Sequence, residues 1–404
     1  MKIGILTYHW VYNFGANLQT LSTVGYFRKH GYDPVVINWI PADLENYYDK
    51  TTSPEMVKVF RDFQKEYYPL TRLCRDSKDV AEVIKDEGIE MVFLGADTLF
   101  KLRKPTYDRK TGEKIMPSLA DSFPNPFWGE FLNYVDVPIV GYSIATNQTD
   151  YKDYLDISDK VSRYIKRFKK LTVRDEYTQS MVAGFTKNEV IPSITPDPVF
   201  GFNENVNIIE KEKDIIRKFE LPSDYYLLCM PQPFHLRLKK WAIELKQVIE
   251  KDGSKLFELP RQNGGQCFDI PQLKYQHITP LEWYVIIKNS KGYIGGLMHP
   301  IVSCIHNKVP FYSLDYYGVA PRVFGRKIRG LGLFMISKES SKTFQIVKDC
   351  GLLNFYFNIN NRLAIFPSPS TVYDKLKGYD FAQLKKASEY RLTFYEETVK
   401  EILS

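Results

Sequence analysis

Residues 2–37, KIGILTYHWVYNFGANLQTLSTVGYFRKHGYDPVVI, predict the fold class of the whole chain. A short apolar run from Ile3 to Leu6 is followed by a polar, aromatic loop. A helical pattern with apolar residues on one face then ends at Gly31, and a second apolar run begins at Val35. This order of strand, loop, helix and strand is the βαβ unit of a parallel sheet.

The same alternation continues along the chain and predicts two successive Rossmann-like, doubly wound α/β domains. Further strands are expected at 91–94, 139–142, 171–173, 225–230, 255–259, 292–295 and 309–314. A loop rich in proline and asparagine, residues 192–207, separates the two halves. Open parallel sheets bind ligands beyond the carboxyl ends of their strands, so we expect the two domains to face a cleft. Its residues should lie in the loops after Leu6, Leu94, Val173, Met230 and Ile294.

Composition limits the class of protein. The 404 residues have a net charge of +7 and 44% hydrophobic residues, which is typical of a folded globular protein. Five scattered cysteines without a C-x-x-C pair indicate reduced thiols. The first residues lack the apolar core of a signal peptide, and no apolar run reaches ~18 residues. We therefore expect a cytoplasmic protein without a spanning helix and, since no block of like charge occurs, without a nucleic-acid partner.

Several familiar motifs are absent from the sequence. It has no phosphate loop, G-x-G-x-x-G, H-E-x-x-H, G-x-S-x-G or D-x-D motif. This disfavours kinases, nicotinamide enzymes, zinc proteases and serine hydrolases, as well as metal-dependent sugar transferases. The histidines also show no metal-ligand spacing, so we expect no metal site.

The first candidate site is the loop that precedes the first helix. Residues 13–19, NFGANLQ, place backbone amides at a helix N-terminus, where anions and hydroxyls bind readily. Gly15 would permit close approach of a ligand, with Asn13 and Gln19 as neutral hydrogen-bonding groups. An ordinary tight turn explains the same residues equally well. His9 lies in the same strand-to-helix loop.

The second candidate is Arg174, which follows a predicted strand. A guanidinium there would clamp a carboxylate or phosphate, although a surface ion pair is the alternative. The third is His299 in Gly295–Pro300, between a strand and a helix predicted over 301–305. It would donate a proton or bind an oxyanion, unless it is a hydrogen-bonded core residue. A basic segment near His235, with Arg237 and Lys239, is either an anion-binding loop or a solvated face.

These motifs, in this order and spacing, resemble the polysaccharide pyruvyl transferase family from Met1 to about Leu314. The N-terminal signature is matched by 2–7 and 13–19, an N-x-G-A-x-L-Q pattern. Residues 94–97 match a G-S-D loop, with Ala96 in place of serine. The remaining matches are 172–176 (V-R-[DE]), 196–200 (D-P-[TV]-[FL]), 279–283, the loop containing His299, and 308–311.

The resemblance implies a GT-B-like architecture, in which the last helix crosses back to the first domain. Residues 1–200 would form the first, acceptor-side domain together with residues 375–404, and residues 201–374 the second, donor-side domain. It also implies transfer of pyruvate from phosphoenolpyruvate to two hydroxyls of a sugar. The product would be a cyclic ketal in a cell-surface polysaccharide such as an exopolysaccharide or capsule.

Roles for individual residues follow from the same resemblance. His299 would protonate the enol carbon, and Asp97 would accept the hydroxyl proton. Donor binding is assigned to Arg174, Gly295, Gly296 and Met298, with Arg237 or Lys239 in place of a second arginine that the apolar loop before His299 lacks. Acceptor binding is assigned to His9, Asn13, Gly15, Asn17 and Gln19.

Two other functions remain open at this point. One is a GT-B-type glycosyltransferase that uses a nucleotide sugar, and the other is a non-catalytic scaffold in polysaccharide biosynthesis. Under the pyruvyltransferase reading no metal or cofactor is required, because phosphoenolpyruvate is itself the donor substrate. A lipid-linked acceptor would place the protein at the inner face of the membrane, which suits its mild positive charge.

Overall fold

A computed structural model describes residues 1–108, 111–146, 149–230, 236–261, 268–316, 322–323, 326–327, 341–360 and 364–404. The chain divides into two compact units, one formed by Met1–Val206 with Phe394–Ser404 and the other by Asn207–Thr393. Each unit is built on its own parallel sheet, as the sequence predicts. No helix in these described ranges is long and apolar enough to cross a membrane.

The first unit contains a six-stranded parallel sheet. Its strands are β1 (Lys2–Leu6), β2 (Asp33–Val36), β3 (Met91–Asp97), β6 (Ile139–Ile144), β7 (Lys170–Val173) and β8 (Ser193–Ile194), with β4 (Thr106–Tyr107) and β5 (Lys114–Ile115) forming a separate hairpin. The order in the sheet is β2-β1-β3-β6-β7-β8. Its helices are α1 (Phe14–Lys29), α2 (Ala42–Thr51), α3 (Pro54–Tyr67), α4 (Ser77–Asp86), α5 (Ser158–Ile165), α6 (Glu176–Phe185) and α7 (Phe202–Asn205).

The predicted βαβ unit at the start of the chain is confirmed. Ile3, Ile5 and Leu6 of β1 are fully buried, as a strand inside a parallel sheet requires. Helix α1 begins at an N-cap, Asn13, whose side chain accepts a hydrogen bond from the Ala16 amide. This cap fixes where the loop after β1 ends and the helix begins.

The first sheet reverses its strand order between β1 and β3. Strand β2 lies on one side of β1, and every later strand lies on the other. Ligands of open parallel sheets bind at such a switch point, beyond the carboxyl ends of the two strands. Here Thr7 Oγ1 donates to the Ala96 carbonyl at 2.8 Å, which ties together the two segments that leave the switch point.

The second unit contains a five-stranded parallel sheet. Its strands are β9 (Tyr225–Cys229), β10 (Lys255–Glu258), β11 (Gly292–Gly295), β12 (Phe311–Asp315) and β15 (Tyr356–Asn358), with β13 (Arg322–Val323) and β14 (Arg326–Lys327) forming a separate pair. The order is β10-β9-β11-β12-β15, so the switch point lies between β9 and β11. Its helices are α8 (Ile209–Phe219), α9 (Leu236–Lys251), α10 (Pro280–Lys288), α11 (Met298–Asn307), α12 (Lys342–Asp349), α13 (Pro369–Lys377) and most of α14 (Phe381–Leu403).

The last helix does not join the first unit along the whole of the expected range 375–404. The second unit extends to Thr393, and only Phe394–Ser404 belongs to the first. The reason lies in the polar contacts of the first half of α14. Ser388 Oγ donates to the His306 carbonyl at 3.0 Å, and Arg391 pairs with Asp349 at 3.2 Å. These contacts hold that half of α14 in the second unit.

The end of α14 packs in the first unit. Tyr395 is almost fully buried there, and its hydroxyl accepts a hydrogen bond from Asn205 Nδ2 at 3.0 Å. Tyr142 of β6 forms a hydrogen bond with Thr398 at 3.2 Å. The first unit begins with residue 1 and runs to Val206, where the sequence-based division placed its end at residue 200.

Candidate functional site

At the carboxyl edge of the first sheet, the side chain of Arg174 lies between two carboxylates. Its Nη1 donates to Asp197 Oδ2 at 3.0 Å, and its Nη2 lies 3.9 Å from Asp97 Oδ1. Gln19 donates its Nε2 to the same Asp197 oxygen at 2.5 Å. Three residues that were assigned to donor binding, catalysis and acceptor binding therefore lie in one cluster, joined by a fourth, Asp197.

Arg174 has hydrogen-bonding capacity that its neighbours do not use. Its side chain is only 2% exposed, yet within the described part of the chain Nε and Nη2 have no hydrogen-bond partner. A buried donor without an acceptor costs about 1–3 kcal/mol, so such groups are rare. Asp197 has little further capacity to accept hydrogen bonds from Arg174, because its Oδ1 already accepts one from the Val199 amide at 3.0 Å. The unused donors of Arg174 suit an anionic ligand.

Asp97 is held in an unusual backbone conformation at the end of β3. Its φ angle is +104°, which residues with a side chain rarely adopt. Hydrogen bonds from three amides help to fix it there: those of Ala145 and Leu99 donate to its carbonyl at 2.8 and 2.9 Å, and that of Thr98 donates to its Oδ1 at 2.7 Å. Backbone strain that the surrounding structure maintains is concentrated at functional sites. Asp97 is therefore a candidate for a functional carboxylate.

A partly buried group of charges surrounds the segment that follows Asp97. Lys101 Nζ lies 2.7 Å from Asp121 Oδ2, while Arg103 Nε approaches the same oxygen at 3.2 Å. Burial lowers the pKa of Lys101, and the negative charges of Asp121 and Asp97 oppose that shift. Burial raises the pKa of Tyr8 well above its usual value, and the same two carboxylates add to the rise. Asp97 thus shares its electrostatic environment with an ammonium and a neutral phenol.

The polar residues predicted for acceptor binding at the start of α1 are engaged within the first unit. Asn17 is fully buried; its Nδ2 donates to the Val11 carbonyl at 2.8 Å, and its Oδ1 accepts from the Tyr68 hydroxyl at 3.0 Å. Asn13 caps the helix, and Gly15 lies buried in its first turn. In this structure these residues shape the loop after β1. Their assignment to a sugar remains a prediction.

His9 lies beside a cavity of about 120 Å³ in the first unit. The cavity is lined by aromatic and polar side chains, among them His9, Trp10, Tyr12, Asn38, Glu45, Tyr48 and Arg61. His9 Nε2 forms a hydrogen bond with Asn38 Oδ1 at 3.0 Å, and burial lowers the pKa of its ring. Aromatic walls with a few polar groups are typical of small-ligand sites. His9 is the acceptor-binding candidate that lines this cavity.

The cavity and Asp97 are electrostatically linked through Tyr48. Burial raises the pKa of the Tyr48 phenol, and the charge of Asp97 contributes to that rise. Trp10 contributes a further polar group, because its buried Nε1 has no hydrogen-bond partner among the described residues. The cavity therefore combines apolar faces with hydrogen-bonding edges.

His299 lies at the switch point of the second sheet. Helix α11 begins at Met298 instead of the predicted Ile301, so His299 is in its first turn. The N-cap, Leu297, makes no side-chain capping bond, which leaves the first amides of the helix for other acceptors. The Met298 side chain is buried, so its contribution to a donor site would come from its backbone.

The two glycines before His299 have a structural reason that the sequence does not reveal. A Cβ atom at Gly295 would lie 2.1 Å from the Cys229 carbonyl oxygen, and one at Gly296 would lie 2.5 Å from that of Leu314. Side chains are therefore excluded at both positions by neighbouring strands. Close strand packing explains these glycines without a ligand.

The basic segment predicted near the second sheet is only partly described. Lys239 lies in α9, and its Nζ pairs with Asp269 at 2.7 Å. His235 and the side chain of Arg237 lie outside the described residues. Across the described ranges, no group of three or more His, Cys, Asp or Glu residues could hold a metal ion.

Sequence reasoning missed three residues near Arg174 and Asp97 as site residues. Asp197 was recognised only as part of the motif at 196–200, and its pairing with Arg174 is a tertiary contact that no local pattern encodes. Lys101 and Asp121 lie in a stretch without strand or helix periodicity. A buried lysine can be recognised only once its surroundings are known.

A family model described as polysaccharide pyruvyl transferase matches residues 13–317. The match includes Arg174, Asp97, Asp197 and His299 and spans parts of both units. Among curated proteins, none matches the chain.

Comparison with solved structures confirms the predicted GT-B-like fold class. A UDP-GlcNAc 2-epimerase from Neisseria meningitidis bound to UDP-GlcNAc matches with a TM-score of 0.50 and 10% identity, covering 100% of this chain and 99% of that one. S. aureus MnaA with UDP matches with a TM-score of 0.50 and 11% identity, covering 97% of this chain and 92% of that one. Arabidopsis thaliana UGT89C1 with quercetin matches at 0.50 and 8%, covering 99% of each chain. At these identities the likeness concerns the fold alone.

Proposed function

Because the chain belongs to the polysaccharide pyruvyl transferase family, we propose that it transfers pyruvate from phosphoenolpyruvate to a sugar of a cell-surface polysaccharide or of its lipid-linked precursor. The pyruvyl group would bridge two hydroxyls as a cyclic ketal. The enzyme would work in the cytoplasm, at the inner face of the membrane when its acceptor is lipid-linked.

The main support for this proposal is that two donor groups of buried Arg174, Nε and Nη2, have no hydrogen-bond partner among the described residues. Phosphoenolpyruvate has a carboxylate and a phosphate, both of which accept paired hydrogen bonds from a guanidinium. Ligand oxygens that accept hydrogen bonds from Nε and Nη2 would remove the free-energy cost of burying these donors without a partner. Asp197 neutralises Arg174 in the absence of the donor and fixes its orientation.

The chemistry assigns a proton donor and a proton acceptor. A proton from His299 would add to the methylene carbon of phosphoenolpyruvate, so that this carbon becomes the methyl group and the adjacent carbon becomes electrophilic. One sugar hydroxyl attacks that carbon and loses its proton to Asp97. The second hydroxyl then displaces phosphate from the same carbon, passes its own proton to the departing phosphate, and closes the ketal. The products are the pyruvylated sugar and inorganic phosphate.

The cavity beside His9 supports an acceptor site in the first unit. The C–H faces of a sugar ring pack on aromatic side chains, and its hydroxyls need polar partners. Trp10, Tyr12 and Tyr48 supply the aromatic surfaces, and His9 and Asn38 supply polar ones. We propose His9 as the acceptor-binding residue of the predicted set and leave Asn13, Asn17 and Gln19 as residues that shape the loop.

The test is ligand-induced thermal stabilisation, followed by product analysis. A donor at ~100 times its dissociation constant stabilises the protein by ~2.7 kcal/mol. We expect phosphoenolpyruvate to raise the Tm of the wild type. Arg174→Lys keeps the buried positive charge but loses Nε and the planar fork, and we expect it to lose this shift. The exposed Arg217→Lys is the matched control and should keep it.

Product analysis uses a panel of sugar and lipid-linked acceptors, with phosphate release and acceptor mass as the readouts. The expected product is an acceptor that gains one pyruvate and loses one water. A Tm shift with nucleotide sugars alone would overturn the proposal in favour of a glycosyltransferase. Phosphoenolpyruvate that is neither bound nor consumed with any acceptor would also overturn it.

A further inference from the structure

The hairpin β4–β5 projects from the chain between β3 and β6, after the candidate carboxylate Asp97. Thr106 pairs with Ile115, and Tyr107 pairs with Lys114 in antiparallel register. The segment before the hairpin is anchored at the carboxyl edge of the sheet, where the Phe100 amide donates to the Ala145 carbonyl at 3.1 Å. The hairpin therefore originates at the edge of the sheet that carries the candidate site.

Large apolar side chains of this hairpin and of the residues just after it are exposed to solvent. Tyr107 is 66% exposed, Ile115 51%, Met116 63% and Leu119 54%. Isolated exposed apolar residues are normal in proteins, but several on one short segment indicate a surface that binds a partner. In a two-residue strand pair they contribute nothing to the core of the first unit.

Positive charge accompanies these apolar side chains. Lys104 and Lys114 are both exposed beside them. The sequence from 103 to 119 contains five basic residues and two acidic ones. One of the acidic residues, Asp108, serves the turn itself, since its Oδ1 accepts a hydrogen bond from the Thr111 amide at 2.8 Å. We define the hairpin surface as Lys104, Tyr107, Lys114, Ile115, Met116 and Leu119.

The surface continues onto neighbouring elements of the first unit. The Leu119 amide donates to Asp43 Oδ2 of α2 at 3.2 Å, and α2 has no buried residue. On the other side, Lys104 Nζ lies over the Tyr154 ring at 5.4 Å, and the next residue, Leu155, is also exposed. The hairpin and the residues just after it therefore carry exposed apolar side chains and ammonium groups within one short stretch of the first unit.

We propose that the hairpin surface docks the protein onto an anionic lipid bilayer. The apolar side chains would enter the boundary between headgroups and acyl chains, while Lys104 and Lys114 would contact lipid phosphates. Charge complementarity favours a membrane over a protein partner, because apolar insertion combined with several basic residues is the usual composition of interfacial membrane anchors. The inference rests on the proposed function in one respect only: a lipid-linked acceptor would make docking to a membrane useful.

Vesicle co-sedimentation of the full chain tests the proposal without donor or acceptor, so its failure is distinct from failure of the transferase reaction. We expect binding to phosphatidylcholine vesicles that contain phosphatidylglycerol, weaker binding at high salt, and none to phosphatidylcholine alone. The double variant Ile115→Ser/Met116→Ser and the double variant Lys104→Gln/Lys114→Gln should each weaken binding by tenfold or more. Ile365→Ser and Lys240→Gln, at exposed positions of the second unit, are the matched controls and should bind as the wild type does.

A second measurement reports insertion directly. Met116→Trp should give a blue-shifted emission change on addition of the anionic vesicles, relative to the wild type. The proposal is overturned if the wild type does not bind anionic vesicles, or if all variants bind equally. It is also overturned if ultracentrifugation shows that the apolar double variant abolishes self-association and leaves vesicle binding intact, because the surface would then bind a second copy of this chain.

Discussion

Arg174 Nη1 donates to Asp197 Oδ2 at 3.0 Å, and this ion pair joins the end of β7 to the segment that follows β8. Both side chains are almost completely buried. Gln19 of α1 donates to the same oxygen, so the pair also fixes the helix that follows the first strand. The positions of the candidate site residues in the first unit therefore depend on one carboxylate.

Asp197→Asn tests the electrostatic part of this arrangement. The amide keeps the shape of the side chain but leaves the Arg174 charge buried without its closest counter-charge. Breaking a buried ion pair in this way costs about 3–5 kcal/mol, so we expect a loss of that size in the free energy of unfolding. If Arg174 also binds the donor, phosphoenolpyruvate should restore more stability to this variant than to the wild type.

The measurement is denaturant unfolding with and without phosphoenolpyruvate. Asp62→Asn removes a carboxylate from an exposed pair with Lys58 and serves as the control, for which we expect little change. A variant as stable as the wild type would show that the Arg174–Asp197 pair does not support the fold.

Asp97→Asn should separate binding from chemistry. The amide cannot accept a hydroxyl proton, so we expect ketal formation to fall by about 10²–10⁴-fold. The Tm shift with phosphoenolpyruvate should remain, since Asp97 is assigned to the acceptor hydroxyl and not to donor binding. Phosphate release with a competent acceptor measures the first effect, and thermal unfolding measures the second. Wild-type turnover in this variant would remove Asp97 from the mechanism.

Much of the fold could be predicted because apolar periodicity and burial coincide. The run from Ile3 to Leu6 is buried in β1, and α1 ends near the predicted Gly31. Helix α2 gave a weaker signal, because none of its residues is fully buried and its contact with the core is made by the partly buried Leu44 and Tyr48. The hairpin β4–β5 could not be predicted from the sequence either, since strands of two residues are too short to show an alternation of apolar and polar residues.

The candidate site could be predicted only where a residue follows a strand directly. Arg174 was found in this way, since the carboxyl ends of parallel strands meet at one edge, whereas Asp97 was found through the family resemblance. The partners that set their chemistry come from elsewhere in the chain, as Asp197 and Lys101 do, and only tertiary packing brings them together. Gly295 shows that a glycine after a strand is ambiguous, because the Cys229 carbonyl also requires the space there. Its assignment to donor binding remains a prediction.

His299→Gln tests the proposed proton donor at the start of α11. Glutamine retains a hydrogen-bonding side chain but cannot transfer a proton to carbon, so we expect a loss of about 10²–10⁴-fold in ketal formation. Donor binding should be affected less, because the first amides of α11 remain. Steady-state kcat and KM for phosphoenolpyruvate distinguish the two effects. His30→Gln, at an exposed position of the first unit, is the control; unchanged kcat in the His299 variant would refute the assignment.

His306, in the last turn of α11, should make the folded protein sensitive to acid. Burial, and then the charges of Lys288 and Lys308, lower the pKa of this imidazole to about 4. The unfolded chain, with a pKa of about 6.5, takes up the proton first, so stability is complete above pH 6.5 and falls as the pH drops towards 4. The resulting decrease in the free energy of unfolding is roughly 3 kcal/mol, and His306→Gln should abolish this pH-dependent decrease. Denaturant unfolding between pH 7 and pH 4 measures the difference, with the exposed His277→Gln as control; equal pH slopes for wild type and His306→Gln would contradict the assignment.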